Sequence, residues 1–231
     1  MNTASTRRPL PRWLGPVLGL VAGLVVGLVV AACTSAPSTP RPLLNSERIE
    51  ATFGSYGVEI LHATERLRLS SLYSLEGGRH VDRRVSRTLA VVQFPDSVDP
   101  RVAAAHGEIV DGASIGSTLR AHGWSVSKQH LLLDEIEAAA GLQRVYALME
   151  VPPGPLAVDV YRLTAMRDDV AVAYATLAEV HHPDYLDLEA LRALFDPDRT
   201  LKPESTIAEV TSTVIAAVAV WSPDAVRSPG R

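Results

Sequence analysis

A single cysteine, Cys33, serves all 231 residues. No disulfide can form within the chain, so whatever folds here must be held by burial and hydrogen bonding alone. Cys33 also ends an apolar run. Arg7, Arg8 and Arg12 precede an uncharged stretch from Trp13 to Ala32, which closes on Val30-Ala31-Ala32-Cys33. A basic start, an apolar middle and small residues before a cut are the parts of a secretory signal. Residues 1–32 are therefore set apart from the folding argument, which leaves 199 residues. That length suits one domain with a proper apolar core.

The tail of the run resembles the lipobox of bacterial lipoprotein precursors: an aliphatic residue, two small residues, then cysteine. The resemblance covers the first 40 residues or so and implies that Cys33 is lipidated on sulfur, becomes the new N-terminus and carries the acyl chains that hold the protein to a membrane. An uncleaved signal anchor is the competing reading. The 20 residues from Trp13 to Ala32 are enough to span a bilayer, and Gly15, Gly19, Gly23 and Gly27 repeat at the spacing of a close-packed helix dimer. Arg7-Arg8 matches a twin-arginine signal poorly. In every case the arginines stay cytoplasmic and the domain is exported, to the periplasmic face of a bacterial membrane. Thr34, in place of aspartate after the cysteine, implies the outer membrane in a source with two membranes.

Loss of residues 1–32 removes three arginines and moves the formal charge from −4 to −7. A mildly acidic domain without a basic block has no electrostatic reason to seek nucleic acid. Arginine outnumbers lysine 20 to 2, as coding bias in a G+C-rich genome produces. Residues 33–43 read as a tether, with three prolines among small polar residues in Thr34–Pro42. Residues 222–231 have the composition of a frayed tail. Residues 44–221 read as one continuous globular stretch.

Within that stretch the periodicity is mixed. Leu44–Gly54 reads as a helix stopped by glycine. Tyr56–His62 and Arg66–Tyr73 alternate like a hairpin with one wet face, turning at Ala63-Thr64-Glu65. Thr88–Phe94 is nearly continuous apolar, as a strand buried on both faces is. Asp99-Pro100 starts a helix to about Val110, and Ser114–His122 forms another. Trp124–Leu133, Gln143–Val151, Leu156–Ala165 and Val170–His181 read as strands, the last two joined by a turn at Met166–Asp169. Asp184–Phe195 and Thr206–Trp221 read as helices, with Thr206 and Glu209 as a capping box. Tight strand-to-strand connections predict an α+β fold: a mainly antiparallel sheet of about seven strands with helices packed on it.

The sharpest chemical pattern is Gly112-Ala113-Ser114-Ile115-Gly116, which is similar to the G-x-S-x-G nucleophile elbow of α/β-type serine hydrolases. Asp159 or Asp168, then His181 or His182, follow in the required order. The elbow needs a strand before the serine, whereas Glu108–Asp111 ends a helix. The competing reading makes Gly112 a helix stop and Ser114 the next N-cap. His181-His182 with Asp184 lacks any recognised metal-ligand spacing, and neighbouring strand residues point to opposite faces. No metal and no cofactor is therefore expected. His106, Lys128 and His130 mark a polar pocket in which a histidine could act as a general base, with Lys128 otherwise lying over Trp124.

The expectation is a membrane-anchored exported lipoprotein with a non-catalytic role, binding an envelope protein, cell-wall material or a small-molecule ligand. Tethering raises local concentration near such partners. The alternative is a small serine hydrolase acting on an envelope ester or amide through Ser114.

Overall fold

Apolar residues at two periods build the domain: every second residue along the strands and every third or fourth along the helices. A computed structural model describes residues 43–77, 82–195 and 206–221. The expected signal segment 1–32, Cys33, the expected tether to Pro42 and the expected tail 222–231 lie outside the described residues. The elements are, in order, α1 (Asn45–Phe53), β1 (Gly57–Ala63), β2 (Leu67–Glu76), β3 (Arg83–Gln93), α2 (Ala103–Val110), α3 (Ile115–Ala121), β4 (Ser125–Ile136), α4 (Gln143–Met149), β5 (Leu156–Arg167), β6 (Val170–His181), α5 (Leu188–Leu194) and α6 (Ile207–Ala219).

The strands form one antiparallel sheet in the order β1-β2-β3-β6-β5-β4. Two antiparallel triplets, β1–β3 and β4–β6, are thus joined at β3 and β6, and the fold is α+β. The first hairpin turns at Thr64, whose hydroxyl accepts from the Leu67 amide at 3.0 Å. The β5–β6 hairpin turns through Asp168 at φ +52°, a left-handed conformation that aspartate tolerates better than most residues.

One face of the sheet carries Leu69, Leu89, Val91, Val158, Val160 and Val180, packed under α4 and α6. The Thr206–Glu209 capping box that starts α6 forms as expected. The other face has two apolar patches. Val92, Phe94, Leu163 and Leu177 lie under α2 and α3, and Leu133 with Ala157 lies under Leu186 and Leu191 at α5. Polar side chains from several strands, and α1 above them, fill this second face between the patches.

The expected antiparallel sheet of about seven strands is present with six. Three local expectations need correction. Gln143–Val151 is not a strand. Leu142, Val145, Tyr146 and Met149 are all buried, at the i, i+3, i+4, i+7 spacing of a helix face, and α4 occupies the segment. The expected helix from Asp184 begins only at Leu188, where the Asp187 carboxylate accepts from the Ala190 amide at 2.8 Å. The Arg-Leu-Arg-Leu alternation does not mark a wet face throughout. Arg66 is exposed, but Arg68 is 2% exposed beneath the α2–α3 junction. Among the described residues no helix is long and apolar enough to cross a membrane.

Candidate functional site

Strand register places the polar groups of the second face side by side. Glu179 on β6 sits opposite Asp159 on β5 and Ala90 on β3; His181 sits opposite Thr88; Ser70 on β2 sits opposite Ala90. On β4, a register shift between His130 and Leu132 keeps His130 opposite Tyr161 and Lys128 opposite Leu163. The first turn of α1 (Leu44, Asn45, Ser46) and the start of α3 (Ser114, Ile115, Gly116) also line the space. A cavity of about 60 Å³ results, floored by Ser70, Ala90, Tyr161 and Glu179. It has room for a few waters or a small polar molecule. The short side chain of Ala90 and the missing one of Gly116 keep it open. A Cβ at Gly116 would come within 2.7 Å of a Leu44 methyl.

Lys128 is the central charge. Its Nζ is buried and makes no hydrogen bond. It lies 3.7 Å from the centre of the Tyr161 ring and 3.6 Å from the Glu179 carboxylate. An ammonium carries three N–H donors, and leaving them unused out of water is costly. Burial alone would raise the Glu179 pKa. The charges of Lys128 and His181 and hydrogen bonds from Tyr161 and Asn45 outweigh burial and hold it below the usual carboxylate value. Tyr161, fully buried beside two carboxylates, is pushed well above the ordinary phenol value, first by burial and then by Glu179 and Asp159.

At the other side of the cavity, Arg68 Nη1 donates to the carbonyls of Ile109 at 2.7 Å and Ala113 at 2.8 Å, which ties β2 to the α2–α3 junction. Its Nε has no partner, and burial lowers its pKa. Tyr56 is hydrogen-bonded to Ser114. Behind the cavity a polar chain continues along the sheet. Tyr185 donates to Asn45 Oδ1 at 2.6 Å, Asn45 Nδ2 donates to Thr88 Oγ1 at 3.3 Å, and Thr88 Oγ1 lies 3.1 Å from His181 Nδ1. His181 Nε2 and Asp159 Oδ2 are buried without a partner. Burial pushes His181 down to about 4 against the pull of the nearby carboxylates.

The residues singled out from sequence separate into two groups. Lys128, His130, Asp159 and His181 share the polar face, and His130 Nδ1 meets Asp159 Oδ1 at 2.8 Å. Ser114 lines the cavity, but it stands between two helices: α2 ends at Val110, Gly112 takes φ +115°, and Ser114 is the N-cap position of α3. No strand leads into it, and its hydroxyl makes no cap bond. Its partners are Tyr56 and Ser117, so no histidine is bonded to it as a base. His182 lies past the strand end, where its Nδ1 accepts from the Asp184 amide at 3.0 Å. Asp168 is exposed in the β5–β6 turn. His106 does not join Lys128 and His130. From its place on α2 it bonds the Tyr174 hydroxyl at 3.0 Å and packs edge-on against Phe94. Trp124 is covered by Arg167, 4.3 Å from its ring, and not by Lys128. Among the described residues no cluster of three metal-ligating side chains occurs.

Sequence reasoning missed Tyr56, Arg68, Tyr161 and Glu179. Glu179 had a legible signal, being the one carboxylate in the largely apolar run Val170–Val180.

No family model and no curated protein matches this chain. Among the solved structures that match, two show a loose similarity. One is the C-terminal domain of PhnF, at 16% identity and TM-score 0.34, covering 64% of this chain and 79% of that one. The other is the C-terminal domain of Yurk from Bacillus subtilis, at 13% identity and TM-score 0.31, covering 58% of this chain and 90% of that one. Likeness at this level decides nothing about what the chain does.

Proposed function

We propose that this protein is an exported lipoprotein, anchored through Cys33, whose domain binds a small-molecule ligand in the cavity between the sheet, α1 and the start of α3. One observation carries the reading. Lys128 Nζ is buried against that cavity with its hydrogen-bonding capacity unused. A fold that needed only stability would do as well or better with the whole Lys128–Glu179 pair replaced by apolar residues. A ligand that accepts from the ammonium removes the cost. The cavity is far smaller than a drug-sized pocket of roughly 300–1,000 Å³, so the ligand, or the part of it that enters, is compact. An anchored binding domain needs no strong interface to meet membrane-bound partners.

The test is a tryptophan-fluorescence melt of the full chain in detergent against a panel of small polar compounds. A ligand present at 100 times its Kd adds about 2.7 kcal/mol, which for a domain of this size shifts Tm by roughly 5–10 °C. The shift should vanish in Ala90→Leu, which fills the cavity. No shift with any compound, or an equal shift in Ala90→Leu, would overturn the reading.

A further inference from the structure

We infer that the ligand carries a carboxylate and that Lys128 is the group that takes it. This rests on the cavity being a ligand site and adds the chemical class.

The inference follows from what the lining leaves unused. Three lining side chains are charged, Arg68, Lys128 and Glu179, so the wall holds one positive charge in excess. Glu179 is already paired with Lys128 at 3.6 Å and faced by the donors of Tyr161 and Asn45. The buried polar atoms of the lining that lack partners are Lys128 Nζ and Arg68 Nε. Both are N–H donors, and both belong to cations. Arg68 spends Nη1 on two carbonyls, whereas Lys128 makes no hydrogen bond, only an ion pair with Glu179 and a contact with the Tyr161 ring. A cationic ligand would meet two like charges, and a neutral one would leave the excess charge uncompensated. A single carboxylate matches both the excess charge and the surplus of donors, through a charge-assisted hydrogen bond to the ammonium. A phosphate dianion overshoots the charge. It also needs more donors than the wall has free. At about 60 Å³ the space suits a short-chain acid or the acid end of a slightly larger molecule.

The experiment is a set of ligand-observed NMR titrations of the full chain at fixed ionic strength, with sodium propionate, propionamide, propylammonium chloride and inorganic phosphate as probes. Propionate should bind saturably and at least about tenfold tighter than the other three, the worth of one charge-assisted bond. Lys128→Met should lose that preference. Glu179→Gln, which removes the charge competing for Lys128, should tighten propionate several-fold, and it keeps the test decisive if Lys128→Met does not fold. Equal or tighter binding of propionamide, propylammonium or phosphate overturns the carboxylate assignment while leaving a ligand cavity. Propionate binding untouched by both substitutions overturns the role of Lys128. No binding by any probe overturns the cavity reading and this inference together.

Discussion

The Lys128 ammonium stands 3.6 Å from the Glu179 carboxylate, and both are largely buried, at 17% and 6% side-chain exposure. Their attraction is strong in such a place, but so is the cost of drying two charges. Removing one partner leaves the other charge buried and uncompensated. Lys128→Met should therefore destabilise the domain by about 3 kcal/mol, as should Glu179→Gln to a lesser degree. The double substitution should cost less than the sum of the two, because neither orphaned charge survives. Urea unfolding of the four proteins measures the coupling. Additive losses would mean that the pair does not interact.

His181 gives the domain a pH dependence with a definite sign. Its pKa is lowered by burial, from 6.5 to about 4. Between these values the unfolded chain binds the proton and the folded one resists it, so stability is full above pH 6.5 and falls as pH drops toward 4. The contribution is on the order of 3 kcal/mol. Glu179, also held below its ordinary value, extends the loss to lower pH. Melts from pH 7 to pH 4 should show a falling Tm, and His181→Gln should flatten the slope in that window. An unchanged slope would mean that the imidazole is not kept neutral by the fold.

Ser114 occupies an N-cap position without making a cap bond. Ser114→Ala should cost less than the roughly 1 kcal/mol of a working cap. A fluorophosphonate probe should leave the wild-type serine unlabelled, since no histidine is bonded to it. Mass spectrometry after probe treatment decides the matter, and stoichiometric labelling would restore the hydrolase alternative.

Gly141 sits where a 3-10 turn (Ala140–Leu142) leads into α4. A Cβ added there would come within 2.6 Å of Ile215 on α6. Gly141→Ala should cost about 1–3 kcal/mol through overpacking, and shortening the neighbour in Gly141→Ala/Ile215→Val should recover part of it. Thermal unfolding of both variants checks the packing of α6 on this turn.

Cys33 carries the prediction on anchoring. Intact mass of the membrane-extracted protein should begin at Cys33 and include acyl chains, and Cys33→Ser should leave the membrane fraction. A retained Met1 would contradict the lipoprotein reading.

Most of the architecture was legible because its signals are local. The alternation in β1 and β2, the apolar run of β3, the turn at Asp168-Asp169 and the Thr206–Glu209 capping box each lie within a few residues of chain. The failure at α4 has a physical cause: Val145, Tyr146 and Val151 suit a strand by residue type, while the spacing of Val145, Tyr146 and Met149 suits a helix, and packing against the sheet selects the spacing. The site was harder to see. Arg68, Ser70, Ala90, Tyr161 and Glu179 lie on four strands, and only the register of non-local pairs brings them together. Lys128 and His130 were found because they share a strand face, whereas grouping His106 with them assumed a closeness that the helix α2 does not provide.

A crystal structure of the protein soaked in sodium propionate shows whether Lys128 takes a carboxylate in the cavity. Density for the acid is expected between Tyr56, Ala90 and Tyr161, with one carboxylate oxygen about 2.7–2.9 Å from Lys128 Nζ, and none after a matched soak in propionamide. Ordered water alone at Lys128 Nζ at saturating propionate, with the acid absent from the cavity, would contradict it.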